Sequence, residues 1–158
     1  MTVVHDVDIV HVPEQAVAVL RGRSPLADIG TRMRHLRELV AGAGLTPGEP
    51  MTARFYDTPE TAIPDYAVCL PVEPRADGSI PDDIGEARGE LVPAHHALTT
   101  TLPGTLDDAG DAVRALYEAL DALGYRANGP LTVVYESAPE PPAAPWLHVM
   151  ELRVPYAR

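Results

Sequence analysis

Leu26–Glu38 reads LADIGTRMRHLRE, and Leu106–Glu118 reads LDDAGDAVRALYE. Leu26, Asp28, Gly30, Arg34, Leu36 and Glu38 return as Leu106, Asp108, Gly110, Arg114, Leu116 and Glu118, 80 positions later and without a gap. In the first segment apolar residues recur at Leu26, Ile29, Met33, Leu36, Val40 and Ala43, steps of three and four that draw one stripe along a helix. The second stripe is Leu106, Ala109, Val113, Leu116, Leu120 and Leu123, each 80 positions beyond its counterpart. The same amphipathic helix therefore occurs twice. Two copies of a unit that cannot bury its apolar face alone make one body with a seam, and seams are where ligand pockets form.

Working outward, Val7 and Ile9 alternate with Asp6 and Asp8, and after the Pro13-Glu14-Gln15 break comes the apolar run 16–20, a pattern that predicts a β-hairpin. Ser24-Pro25 reads as a helix start with Ser24 as N-cap, and Gly44 as its end. Strands are expected over 51–56 and 66–72, giving β-β-α-β-β. The second copy repeats this with strands near 87–92 and 97–102, a helix from 105 to about 123 ended by Gly124, and strands over 131–136 and 147–154. The repeats span about 3–72 and 86–156. Between them lies a linker, 73–85, rich in Pro, Asp, Gly and Ser.

Both helices are expected on one face of a shared antiparallel sheet, leaving the other, curved face free. Strand parity assigns the side chains. Met51, Ala53 and Phe55 belong to the helix side and Thr52, Arg54 and Tyr56 to the open face, with Thr132, Val134 and Glu136 as their counterparts. In the last strand Met150, Leu152 and Val154 suit the core, which sends Val149, Glu151 and Arg153 to the open face. Ala67 and Cys69 join them there, while Tyr66 and Tyr135 point to the helices.

The chain has 158 residues, enough for one domain, 1–158, with a proper core. Its formal charge is −11 and all twelve basic side chains are arginine, a balance that disfavours direct nucleic-acid binding and favours a neutral or cationic small molecule. A single cysteine excludes an internal disulfide, and no CxxC, HxH or HExxH spacing offers a metal site. No stretch has the length of a membrane span and no secretory leader is evident, so the expected location is cytoplasmic.

Val10-His11-Val12-Pro13 with 16–22 (AVAVLRG), Ser24–Gly30 (SPLADIG), Leu91-Val92-Pro93-Ala94, Leu123-Gly124-Tyr125 with Gly129-Pro130, and the closing 149–155 (VMELRVP) occur in an order and spacing that resemble the GyrI-like effector-binding domains. The likeness runs over about residues 3–156. It implies an α+β fold of two pseudo-symmetric β-α-β-β modules, forming an antiparallel sheet with two helices on one face and a ligand cleft on the other. That cleft commonly accepts lipophilic, often cationic, aromatic molecules, as in the drug-sensing half of bacterial multidrug regulators, and no cofactor is implied. In many members a Glu inside the last strand lies at the bottom of the cleft, and Glu151 matches it. Regulators of the family carry a helix-turn-helix segment before the domain and none precedes Val3 here, so control of DNA by this chain itself is not expected.

The ligand-binding candidates are accordingly Glu151, Tyr56, Glu136, Trp146 and Arg54. Glu151, in a largely apolar strand, either faces the positive centre of a ligand or is a structural ion pair with Arg54 or Arg153. Tyr56 and Glu136 are counterparts across the repeat and are expected to approach the seam from opposite sides, or else to be a rim residue and a solvated strand end. Trp146 either stacks on an aromatic cation or plugs the core. Three functions are left open: sequestration or sensing of lipophilic, cationic aromatic compounds; hydrolysis of cyclopropane-type natural products, with Glu151, Glu136 and Tyr56 as the catalytic set; and gyrase inhibition by protein contact. The expected partners are thus a small molecule and, possible in addition, a protein such as gyrase or a separate regulator, with no membrane contact.

Overall fold

The computed structural model describes residues 6–57, 61–101, 106–135 and 149–157. In chain order these form β1 (Asp8–Val12), β2 (Gln15–Arg23), α1 (Ile29–Gly42), β3 (Met51–Phe55), β4 (Asp65–Pro71), β5 (Asp83–Ile84), β6 (Ala87–Val92), β7 (His95–Thr101), α2 (Leu106–Leu123), β8 (Arg126–Ala127), β9 (Leu131–Tyr135) and β10 (Val149–Ala157). Among the described residues the strands make one antiparallel sheet in the order β1-β7-β10-β9-β3-β4-β2-β6-β5, with β8 added to β10. Helix α1 lies over β2 and β4, and α2 over β7 and β10. This is an α+β, two-layer arrangement with both helices on one face of the sheet.

The pairing of the central strands carries the repeat. Met51 pairs with Tyr135, Ala53 with Val133 and Phe55 with Leu131, so β3 and β9 exchange places under a half-turn about the Ala53–Val133 pair. Their helix-side residues are buried as parity requires: Met51, Ala53, Phe55, Leu131, Val133 and Tyr135 join Tyr66, Val68, Leu70, Leu152 and Val154 in the core. Ile29, Met33, Leu36 and Val40 supply the α1 contribution, and Ala112, Leu116 and Leu120 that of α2. The stripes expected from sequence end early: Ala43 and Leu123 are exposed.

Three expectations are corrected. First, β1 and β2 do not form a hairpin. β1 pairs with β7 and β2 with β6, so each half lends its first strand to the second strand of the other. The connections Pro13-Glu14 and Pro93-Ala94 explain this, because a two-residue hairpin needs positive φ at its centre, which Gly or Asn supplies and Pro forbids. Val12 pairs with His95 and Gln15 with Val92, one unbroken register on both sides of the prolines. The segments 8–19 and 88–99 thus run as a single antiparallel ladder that crosses from one half to the other.

Second, Ser24 is not an N-cap. A short 3₁₀ turn, Leu26–Asp28, precedes α1. The Ser24 hydroxyl is instead 2.8 Å from the Tyr66 hydroxyl. Third, the segment between the repeats is more than a tether. It supplies β5 on the outer edge of β6, with Ile84 fully buried. Gly89 makes room for it: a Cβ there would lie 2.0 Å from the Pro81 carbonyl oxygen, and the Gly89 N–H donates to Asp82 O at 3.0 Å.

Candidate functional site

On the open face, Arg153 of β10 pairs with Thr132 of β9, and Thr132 pairs with Arg54 of β3. The next row reads Cys69, Thr52, Val134 and Glu151 across β4, β3, β9 and β10. Under the half-turn, Thr132 exchanges with Thr52, Arg54 with Val134, Arg153 with Cys69 and Glu151 with Ala67. The backbone is duplicated, but the chemistry above it is not: the row through Thr132 carries both cleft arginines.

Above these rows sits a cleft of about 310 Å³. Its floor is Thr52, Arg54, Thr132 and Arg153. One wall is the crossing ladder, with Val12, Gln15, Val17, Glu90, Val92, Pro93 and His95, and the rim on the far side is Asn128, Gly129, Pro130 and Pro155. Both halves contribute, so the cleft stands on the seam. Valines and prolines make most of the wall, and a few charged groups converge on the floor, the usual constitution of a small-molecule site.

The charged groups are paired. Arg54 Nη1 donates to Glu90 Oε2 at 2.7 Å. Burial works against the Arg54 charge, but Cys69, Glu90 and Tyr56 outweigh it and hold its pKa above the ordinary value. Arg153 Nη2 donates to Glu151 Oε1 at 2.5 Å, and the Thr99 hydroxyl donates to Glu151 Oε2. Cys69, buried on the same face, has its thiol pushed up to about 11 by burial, with Arg54 and a Thr52 hydrogen bond pulling the other way. His95 Nδ1 lies 2.9 Å from the Pro93 carbonyl; that oxygen only accepts, so Nδ1 carries the proton and a neutral ring keeps Nε2 as an acceptor.

Of the sequence candidates, Arg54 lines the cleft directly. Glu151 reaches it through Arg153: it is not a lining residue, but its carboxylate holds one that is. Tyr56 follows the end of β3, with the Arg21 guanidinium 3.7 Å above its ring. Glu136 and Trp146 lie outside the described residues. Sequence reasoning missed Glu90, Arg153 and His95 as lining residues. Glu90 reads as an ordinary polar position of a strand, and it is the β2–β6 pairing of the strand crossing that sets it beside Val17 in the cleft wall. Among the described residues no group of three His, Cys, Asp or Glu side chains is placed to hold a metal ion.

A family model for the GyrI-like small molecule binding domain matches residues 5–157. The chain belongs to this family. Small-molecule binding is accordingly the function this GyrI-like domain carries. Its fold is shared with the C-terminal domain of EcmrR, at 17% identity and a TM-score of 0.72, covering 99% of both chains. EcmrR in its DNA complex matches at 19% identity and a TM-score of 0.74, over 98% of this chain but only 58% of that one. SAV2435, solved bound to tetraphenylphosphonium, matches at 7% identity and a TM-score of 0.58, over 96% of this chain and 94% of that one. No curated protein matches the chain. No helix among the described residues is long and apolar enough to cross a membrane.

Proposed function

We propose that this GyrI-like domain binds a lipophilic, cationic aromatic small molecule in the cleft between its halves, to sequester or sense it. The observation that carries the reading is a cleft walled by apolar residues of both repeats with carboxylates at its margin, Glu90 in the lining and Glu151 behind Arg153. Apolar walls bind by the area they remove from water, whereas the carboxylates set the sign of charge that is tolerated. Glu151 acts here through Arg153, whose charge it offsets beneath the ligand; Arg54 shapes the floor, Tyr56 the flank, and Glu136 and Trp146 complete the proposed set. The ligand-bound state of SAV2435 supports this class of compound.

Tetraphenylphosphonium and tetraphenylborate have nearly the same shape and opposite charge, so titrating both by calorimetry tests the reading. The cation is expected to bind more tightly, with Glu151→Gln narrowing the difference. Preference for the borate overturns the cationic reading, and chemical turnover of a strained cyclopropane substrate by the wild type, lost in Glu151→Gln, replaces binding with the hydrolase function.

A further inference from the structure

Among the described residues Glu90 is the lining carboxylate, and the protein's own guanidinium already sits on it. Arg54 starts three strands away, on β3, and extends across the floor past β4 and β2 to reach Glu90 on β6, with Arg54 Nη1 and Glu90 Oε2 2.7 Å apart. The partners differ in exposure. The Arg54 side chain is 17% exposed, while Glu90, a lining residue of the cleft, is 47% exposed. Glu151 is arranged otherwise, 18% exposed, with a threonine hydroxyl and Arg153 from its own strand both engaged. A cation entering the cleft therefore meets Glu90 with less to undo than Glu151.

We infer that Glu90 is a specificity-determining residue of the cleft and that Arg54 is its resident counter-ion, which a ligand cation displaces. The inference rests on the cationic reading above and names the residue that enforces it. A partly exposed ion pair holds weakly, so exchange of one cation for another on Glu90 costs little in charge. What decides the exchange is the apolar area a ligand brings and a guanidinium does not. A small hydrated cation gains nothing by entering, and a neutral aromatic molecule leaves the pair intact.

Displacement differs from a general field effect in its coupling. If Arg54 and Glu90 act only through the summed potential, their substitutions alter cation affinity independently and the effects add. If a ligand must take Glu90 from Arg54, then removing Arg54 releases the whole of the Glu90 interaction to the ligand. The experiment is a double-mutant cycle on tetraphenylphosphonium affinity by calorimetry, with wild type, Arg54→Gln, Glu90→Gln and the double variant. Arg54→Gln is expected to tighten binding. Glu90→Gln is expected to weaken it by no more than about threefold in the wild-type background, since Arg54 already occupies the carboxylate and a partly exposed pair contributes little. In the Arg54→Gln background the same substitution is expected to cost about tenfold or more.

Equal effects of Glu90→Gln in the two backgrounds, or weaker binding by Arg54→Gln, overturn the inference and leave the ligand-binding reading standing. Binding of neutral N-phenyl-1-naphthylamine without any binding of the phosphonium also overturns it. A wild-type protein that binds neither probe sinks the underlying reading as well.

Discussion

Ala53 and Val133 face each other across β3 and β9, and the half-turn that exchanges the two repeats passes between them. Both are fully buried on the helix side, so the centre of symmetry is also the centre of the core. The cleft lies over the same strands on the other face. Ligand site and core therefore share one floor, and the residues beside the axis alternate between the two roles: Thr52 and Thr132 above, Ala53 and Val133 below.

The strand crossing is open to a direct test. Val10 and Ala97 are partners in the β1–β7 ladder, and Cys69 is the single natural cysteine. In a Cys69→Ser background, Val10→Cys with Ala97→Cys is expected to oxidise to an intramolecular disulfide, read as loss of both free thiols without dimer formation. A hairpin between β1 and β2 would leave these positions far apart and both thiols titratable.

The repeat, the two helices and the facing of the central strands were legible because each is a local pattern. Met33, Leu36, Met51, Ala53, Phe55, Tyr66 and Tyr135 all lie on the side that periodicity assigned. Which strand pairs with which is not local, and nothing in residues 8–23 names β7 as the partner of β1. The one available signal was negative: Pro13-Glu14 and Pro93-Ala94 cannot make a two-residue hairpin turn. The last strand misled in another way, because the ungapped 80-residue repeat does not hold there. Cys69 sits opposite Thr52 and Arg153 opposite Thr132, an offset of 84 between the two strands, so Glu151 is the counterpart of Ala67 and has no acidic twin.

Leu36 tests how α1 is held. It is fully buried within the stripe that covers β2 and β4. Leu36→Ala is expected to destabilise the fold by about 2–5 kcal/mol, the cost of the lost transfer energy and of the cavity left behind. Urea unfolding should show a lower midpoint with an unchanged slope. A loss below about 0.5 kcal/mol would mean that α1 is not docked as described.

Arg21 and Asp65 form an exposed two-contact pair, Nε–Oδ1 at 3.2 Å and Nη2–Oδ2 at 2.9 Å, joining β2 to β4. The hydrogen bonds from Arg21 hold the Asp65 carboxyl below its ordinary value. A carboxylate with a depressed folded-state pKa contributes stability above its unfolded pKa, and that contribution is lost as pH falls through the folded one. The gap between wild type and Asp65→Asn in thermal midpoint is therefore expected at neutral pH and should close on acidification below the normal aspartate range. A gap that persists in strong acid would remove the ion pair from the explanation.

Cys69 reports on Arg54. It is 1% exposed, and its thiol, pushed up to about 11, is almost wholly protonated at pH 8, so iodoacetamide should label the wild type slowly. Arg54→Ala alters two things with opposite sign. It removes the nearby cation that favours the thiolate, which raises the pKa further, and it removes the side chain that crosses the floor beside the thiol. Labelling followed against pH separates them. The apparent pKa should move up while the limiting rate at high pH increases, because the thiolate is scarcer but easier to reach. Glu90→Gln should act in the same direction on the limiting rate, since it frees Arg54 to leave the floor while its charge remains nearby. A limiting rate unchanged in both variants would show that Arg54 is not the cover over Cys69, and that the guanidinium's path across the cleft floor does not control access to it.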